Sequence, residues 1–177
     1  MRRFALTLVA AGLSACAPAS STLTDAQKAA VADSATALLK AAWANFGKLD
    51  MNAAFRDYSA APDAKHMDNG TVYPSLGAYK KANEQFGTVL EYVRTTGDAW
   101  DAMVLGPEAV MITVPWHADM KAKGRPEYKA RGVSSVLVQR REGRWQIVHT
   151  HESFVNANEL MAALTPTALP KNAAAKP

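Results

Sequence analysis

Arg144-Trp145-Gln146-Ile147-Val148-His149-Thr150-His151-Glu152-Ser153-Phe154 alternates like a strand. Side chains two apart on a strand point the same way, so Trp145, Ile147, His149, His151 and Ser153 are expected on one face. Gln146, Val148, Thr150, Glu152 and Phe154 are expected on the other. A surface strand has little reason to run a Trp and an Ile into two imidazoles and a hydroxyl. A strand lining a partly polar pocket does.

Working back from it, Glu127–Arg141 reads as another strand, with a turn at Glu142-Gly143 between the two. Glu108–His117 alternates Val110, Ile112, Val114 and Trp116 with Met111, Thr113, Pro115 and His117. Pro115 cannot donate to a ladder, which puts that strand at an edge or bends it. Ala118–Pro126 reads as a polar loop. Thr88–Thr95 and Ala99–Leu105 are strand-like, and Thr96-Gly97-Asp98 suggests a bulge in one long strand.

Before residue 88 the period is helical. Thr24 and Gln27 form a capping box for a helix over Asp25–Asn45, whose stripe includes Val31, Ala35, Leu38 and Ala42. Asp50 caps a shorter helix, Met51–Tyr58. Asp68-Asn69-Gly70 is a turn between short extended pieces. Ser75 caps a helix over Leu76–Phe86, with Gly87 as its stop. Asn156–Glu159 opens a last short helix to Leu164. Helices first and then a run of antiparallel strands is an α+β order. A curved sheet around the helices would make a cone with one open end.

The ends of the chain are of another kind. Met1–Cys16 has a positive start at Arg2 and Arg3, then the short apolar run Phe4–Gly12, too short to span a bilayer. It ends in Leu13-Ser14-Ala15-Cys16, which resembles the lipobox of bacterial lipoproteins. That resemblance implies a signal peptide over 1–15 and a lipid on Cys16, the single cysteine. Ala17 after it favours outer-membrane sorting. The protein would then be held in the cell envelope facing the periplasm, with the membrane as a partner through the lipid. Residues 16–23 read as a tether and 166–177 as a disordered tail, leaving a domain over 24–165.

Of 177 residues, 49% are hydrophobic and 20% charged, enough for one domain with a real core. The net charge of +4 includes Arg2 and Arg3. No basic cluster accompanies aromatics, which argues against nucleic-acid binding.

The order of elements resembles the nuclear transport factor 2-like, or cystatin-like, fold. Gly143-x-Trp145-x-Ile147-x-His149-x-His151-x-Ser153, with Leu105–Ala109 as the turn into an earlier strand, is similar to the SnoaL-like group within it. The resemblance implies the cone of helices in a strongly curved antiparallel sheet. It also implies possible homodimers through the sheet, and functions ranging from binding to isomerase, cyclase or hydratase chemistry. Enzymes of this fold such as ketosteroid isomerase use a carboxylate inside the cone. Asp63, Asp68, Asp98 and Asp101 are available here, and none stands in that enzyme's pattern.

Two readings follow. In one, the domain binds a small, largely apolar ligand, with Tyr58, His66, Tyr73, Trp116, His149, His151 and Ser153 around it. In the other, His149 and His151 act as catalytic acid and base. Zinc takes three or four ligands, and no sequence feature brings His66 or His117 to the histidine pair, so neither a metal nor a cofactor is assigned.

Overall fold

The computed structural model describes residues 22–156, 158, 159 and 162. The expected signal segment, Cys16, most of the expected tether and the expected tail lie outside the described residues. So does most of the expected last helix, of which Asn158, Glu159 and Ala162 are helical.

The capping box is formed: Gln27 N–H donates to Thr24 Oγ1 (3.2 Å) and Thr24 N–H to Gln27 Oε1 (2.9 Å). It opens α1, Asp25–Gly47, which buries Ala35, Leu39 and Ala42. Asp50 caps α2, which spans only Met51–Ala54 and stops short of the expected Tyr58. The strands β1 (Lys65–Asp68) and β2 (Thr71–Tyr73) follow. Their two-residue turn holds both central residues at positive φ, Asn69 at 47° and Gly70 at 86°. Ser75 caps α3, Leu76–Val89. Gly87 does not end this helix as expected. Its missing Cβ makes room for Met51, whose Cε would lie 2.8 Å from it.

The strands β3 (Leu90–Gly97), β4 (Asp101–Gly106), β5 (Ala109–Ala122), β6 (Glu127–Arg141) and β7 (Arg144–Phe154) complete the chain. The sheet order is β2-β1-β7-β6-β5-β3, with β4 also on β5. Both β3 and β4 run antiparallel to β5 along one edge: Gly97 pairs with Trp116 and Asp101 with Thr113, so one extra residue separates them, as a bulge would. Pro115 thus sits in a central strand, not at an edge. Its carbonyl accepts from the Asp98 amide (2.8 Å), so its absent N–H falls on the same side, opposite the interruption. The expected loop over Ala118–Pro126 is also corrected. Ala118, Met120 and Ala122 are buried on β5, and the turn begins only at Lys123.

β1 joins β7 in parallel while the other ladders are antiparallel. The middle of α1 fills one end of the cone, where Ala35 and Leu39 pack on Val110, Ile112, Val138 and Ile147. The other end is hollow.

Candidate functional site

The register of β7 decides what faces the hollow end. Ile147 pairs with Val138 and His149 with Leu137, so Val148 has no partner on β6 and forms a bulge. Ile147 and Val148 are consecutive and both buried. On the other side of β7, the segment around Tyr58 is pinned to Ile147 by two backbone hydrogen bonds, Ile147 N–H to Asp57 O (2.9 Å) and Ser59 N–H to Ile147 O (2.8 Å).

One extra residue reverses the faces beyond it. Trp145 and Ile147 point into the cone, and after the bulge Thr150, Glu152 and Phe154 do. His149, His151 and Ser153 are carried to the outer face. This corrects their expected place in the pocket: His151 and Ser153 are exposed, and their contact is with each other (3.4 Å). His149 is part-buried beside Lys65 on the outer side.

The hollow end is a cavity of about 480 Å³. Residues from the C-terminal half of α1 (Ala42, Trp43, Phe46) and from α3 (Tyr79, Ala82, Phe86) form one wall. Val93, Trp116, Ala118, Met120 and Phe154 form the other. Tyr58 and Tyr73 line it, as does Trp116. His66 does not. It is 1% exposed, behind the tyrosines, with its ring stacked on Tyr79 (5.1 Å, 7°) and Nδ1 3.2 Å from Thr150 Oγ1. It sits on β1. Burial holds the His66 pKa below its ordinary value, against a smaller opposing effect of the Ser59 backbone, and His149 lowers it further.

The polar end of the cavity is made by two carboxylates. Asp68 and Glu152 are paired across the parallel β1–β7 ladder and both line the cavity. Neighbouring strands are about 5 Å apart, so the two side chains stand next to each other. Burial pushes Glu152 up to about 7, helped by the charge of Asp68 and opposed by the hydrogen bond from Ser134 Oγ (2.8 Å). Burial pushes Asp68 up to about 6, opposed by His151 across the strand. Tyr58 and Tyr79 are raised by burial first and then by neighbouring charge, so their hydroxyls stay protonated. Both groups are thus raised toward neutral pH, where one can accept a proton and the other give one.

Of the other carboxylates weighed, Asp63 is bonded to Arg141 (2.8 Å) and Asp98 to His117 (2.6 Å), both at the surface. Asp101 is exposed on β4. Strict alternation places Glu152 on the face opposite the histidines, away from the expected pocket. The adjacent apolar pair Ile147-Val148 is the signal that the phase changes there.

A model of the SnoaL-like domain matches residues 35–157. The chain belongs to the SnoaL-like domain family. Solved structures share the fold. A candidate scytalone dehydratase of Novosphingobium aromaticivorans superposes with a TM-score of 0.67 at 12% identity, covering 75% of this chain and 89% of that one. A hexachlorocyclohexane dehydrochlorinase superposes at 0.63 and 15% identity, covering 75% and 90%. A nuclear transport factor 2-like protein of Salmonella enterica superposes at 0.62 and 15%, covering 85% and 99%. Among curated proteins none matches this sequence. The expected α+β fold of helices packed on a curved sheet is thus the fold of the family.

Proposed function

We propose that this SnoaL-like domain binds a small, largely apolar molecule in the cone and moves a proton on it through Asp68 and Glu152. The observation that carries this is the carboxylate pair at the end of a largely apolar cavity. Isomerisation and elimination both need a base to remove a proton and an acid to deliver one or assist a leaving group. The two groups meet that need, with Tyr58 and Tyr79 as hydroxyl donors beside them. The structural neighbours named for dehydration and dehydrochlorination are consistent with this class of reaction. The acid and base roles pass from His149 and His151 to the carboxylates, because the histidines stand outside the cone.

Native mass spectrometry of the chain taken from its own envelope is the test. A co-purified small molecule is expected, and Asp68→Asn and Glu152→Gln should each block its conversion without unfolding the domain. Conversion at full rate in both variants would refute the acid–base roles.

We also propose that the domain is lipid-anchored through Cys16, eight residues before the Thr24 cap, and faces the periplasm from the outer membrane. The lipobox-like Leu13–Cys16 supports this. Intact mass of the membrane-extracted protein should show loss of residues 1–15 and added acyl chains, and Cys16→Ser should abolish both. The outer sheet face, where Met103 and Leu105 are exposed, is proposed to accept a second copy.

A further inference from the structure

The charge in the cavity sets a condition on what can enter it. Two carboxylates face inward, and no lysine, arginine or histidine is among the lining residues. Among the described residues, Ser134 gives the single side-chain hydrogen bond that either carboxylate receives. Oδ1 of Asp68 is buried with no hydrogen-bond partner. A buried carboxylate is costly unless it is paired or hydrogen-bonded. Six rings stand in the surrounding walls: Trp43, Phe46, Phe55, Phe86, Trp116 and Phe154. Aromatic faces carry partial negative charge and attract cations.

An anion would meet like charge here, and a neutral hydrocarbon would leave the Asp68 oxygen unpaired. A ligand with a positive nitrogen and apolar substituents satisfies both the acids and the rings. From this geometry we propose that the cone takes an organic ammonium ion, its nitrogen against Asp68 and Glu152 and its apolar groups among the rings.

The proposal rests on the reading of the cavity as the ligand site and adds the class of ligand. Of the other titratable groups packed around the pair, only His151 opposes the rise of Asp68, and its effect is smaller than that of burial. His66 is turned away behind Tyr58 and Tyr79, and His151 lies on the outer face of β7. The upward shifts of both carboxyl groups are what a pair lacking its counter-ion should show, and a bound cation would reverse them.

The test uses a charged probe and its neutral isostere, phenyltrimethylammonium and tert-butylbenzene, titrated into the full chain at pH 7.5. Quenching of tryptophan fluorescence reads binding, since Trp43 and Trp116 line the cavity. The cation is expected to bind at least about tenfold more tightly. An Asp68→Asn/Glu152→Gln double variant should lose that preference while still binding the neutral probe. If the double variant fails to fold by circular dichroism, Glu152→Gln alone carries the comparison, with a reduced preference expected. Equal affinities for the unaltered chain overturn the ammonium assignment but leave the apolar ligand site standing. So does a preference for the cation that the folded variant retains in full. Binding of neither probe also overturns the ammonium assignment, and the ligand site is then judged by the mass-spectrometric test alone.

Discussion

Glu152→Gln should make the domain more stable at alkaline pH. The Glu152 carboxyl ordinarily titrates near 4.5, and burial in the cone raises it to about 7. As pH rises through this interval, the unfolded chain sheds a proton that the folded chain still holds. Folding then carries a penalty that grows by about 1.4 kcal/mol per pH unit. The penalty is absent below about pH 4.5 and reaches about 3 kcal/mol above pH 7. Gln has nearly the same shape, can still accept from Ser134, and carries no charge. Urea denaturation of both proteins from pH 4.5 to 9 gives the comparison. The curves should lie close together at the acid end and separate by about 3 kcal/mol at the alkaline end, with the variant more stable. Asp68, raised in the same direction, adds a pH slope to both proteins and largely cancels in the difference. The depressed pKa of His66 acts oppositely, costing stability as pH falls below about 6.5, and it too is common to both. Parallel curves, or a variant less stable at pH 8.5, would refute the placement of an ionisable Glu152 inside the cone.

Three further outcomes are expected. Gly132→Ala should lower stability by about 1–3 kcal/mol in thermal denaturation, because its Cβ would press on the Trp116 ring and the Ser153 carbonyl. Thr150→Val should cost about 1–3 kcal/mol in urea titration, since it removes the side-chain partner of the buried His66 Nδ1. His149→Ala and His151→Ala should change the phenyltrimethylammonium affinity by less than about twofold, and a tenfold loss in either would contradict their outward placement.

Several elements were legible because their causes are local. The Thr24/Gln27 capping box, the Asn69-Gly70 turn and the bounds of β6 and β7 all follow from residues within a few positions of one another. The end of β5 was harder. Asp119 and Lys121 looked like loop residues, yet they are the outer face of a strand whose inner face is Ala118, Met120 and Ala122. The bulge at Val148 was hidden for a different reason. Register is set by the partner strands, and a period-2 reading of one strand is blind to a residue its neighbour does not match. That single residue moved both histidines out of the site and Glu152 into it. Pro115 follows the same rule: its missing donor matters only relative to the β3–β4 interruption alongside it. The acid pair itself joins distant segments, and no local pattern could announce it.

The parallel ladder that brings Asp68 to Glu152 also has a consequence for how the chain folds. β5, β6 and β7 follow one another through short turns, so they can zip up early at little loop-closure cost. The β1–β7 contact, by contrast, closes a loop of 84 residues, as the His66–Thr150 hydrogen bond within it measures. Contacts of such long sequence separation repay their entropy late. On this ordering the meander forms as a scaffold, and the β1–β2 hairpin docks onto its edge afterwards, creating the acid pair at that moment. A ligand bridging the two carboxylates would then act as a clasp between the latest-joined parts of the chain, slowing unfolding at the seam where the domain is completed.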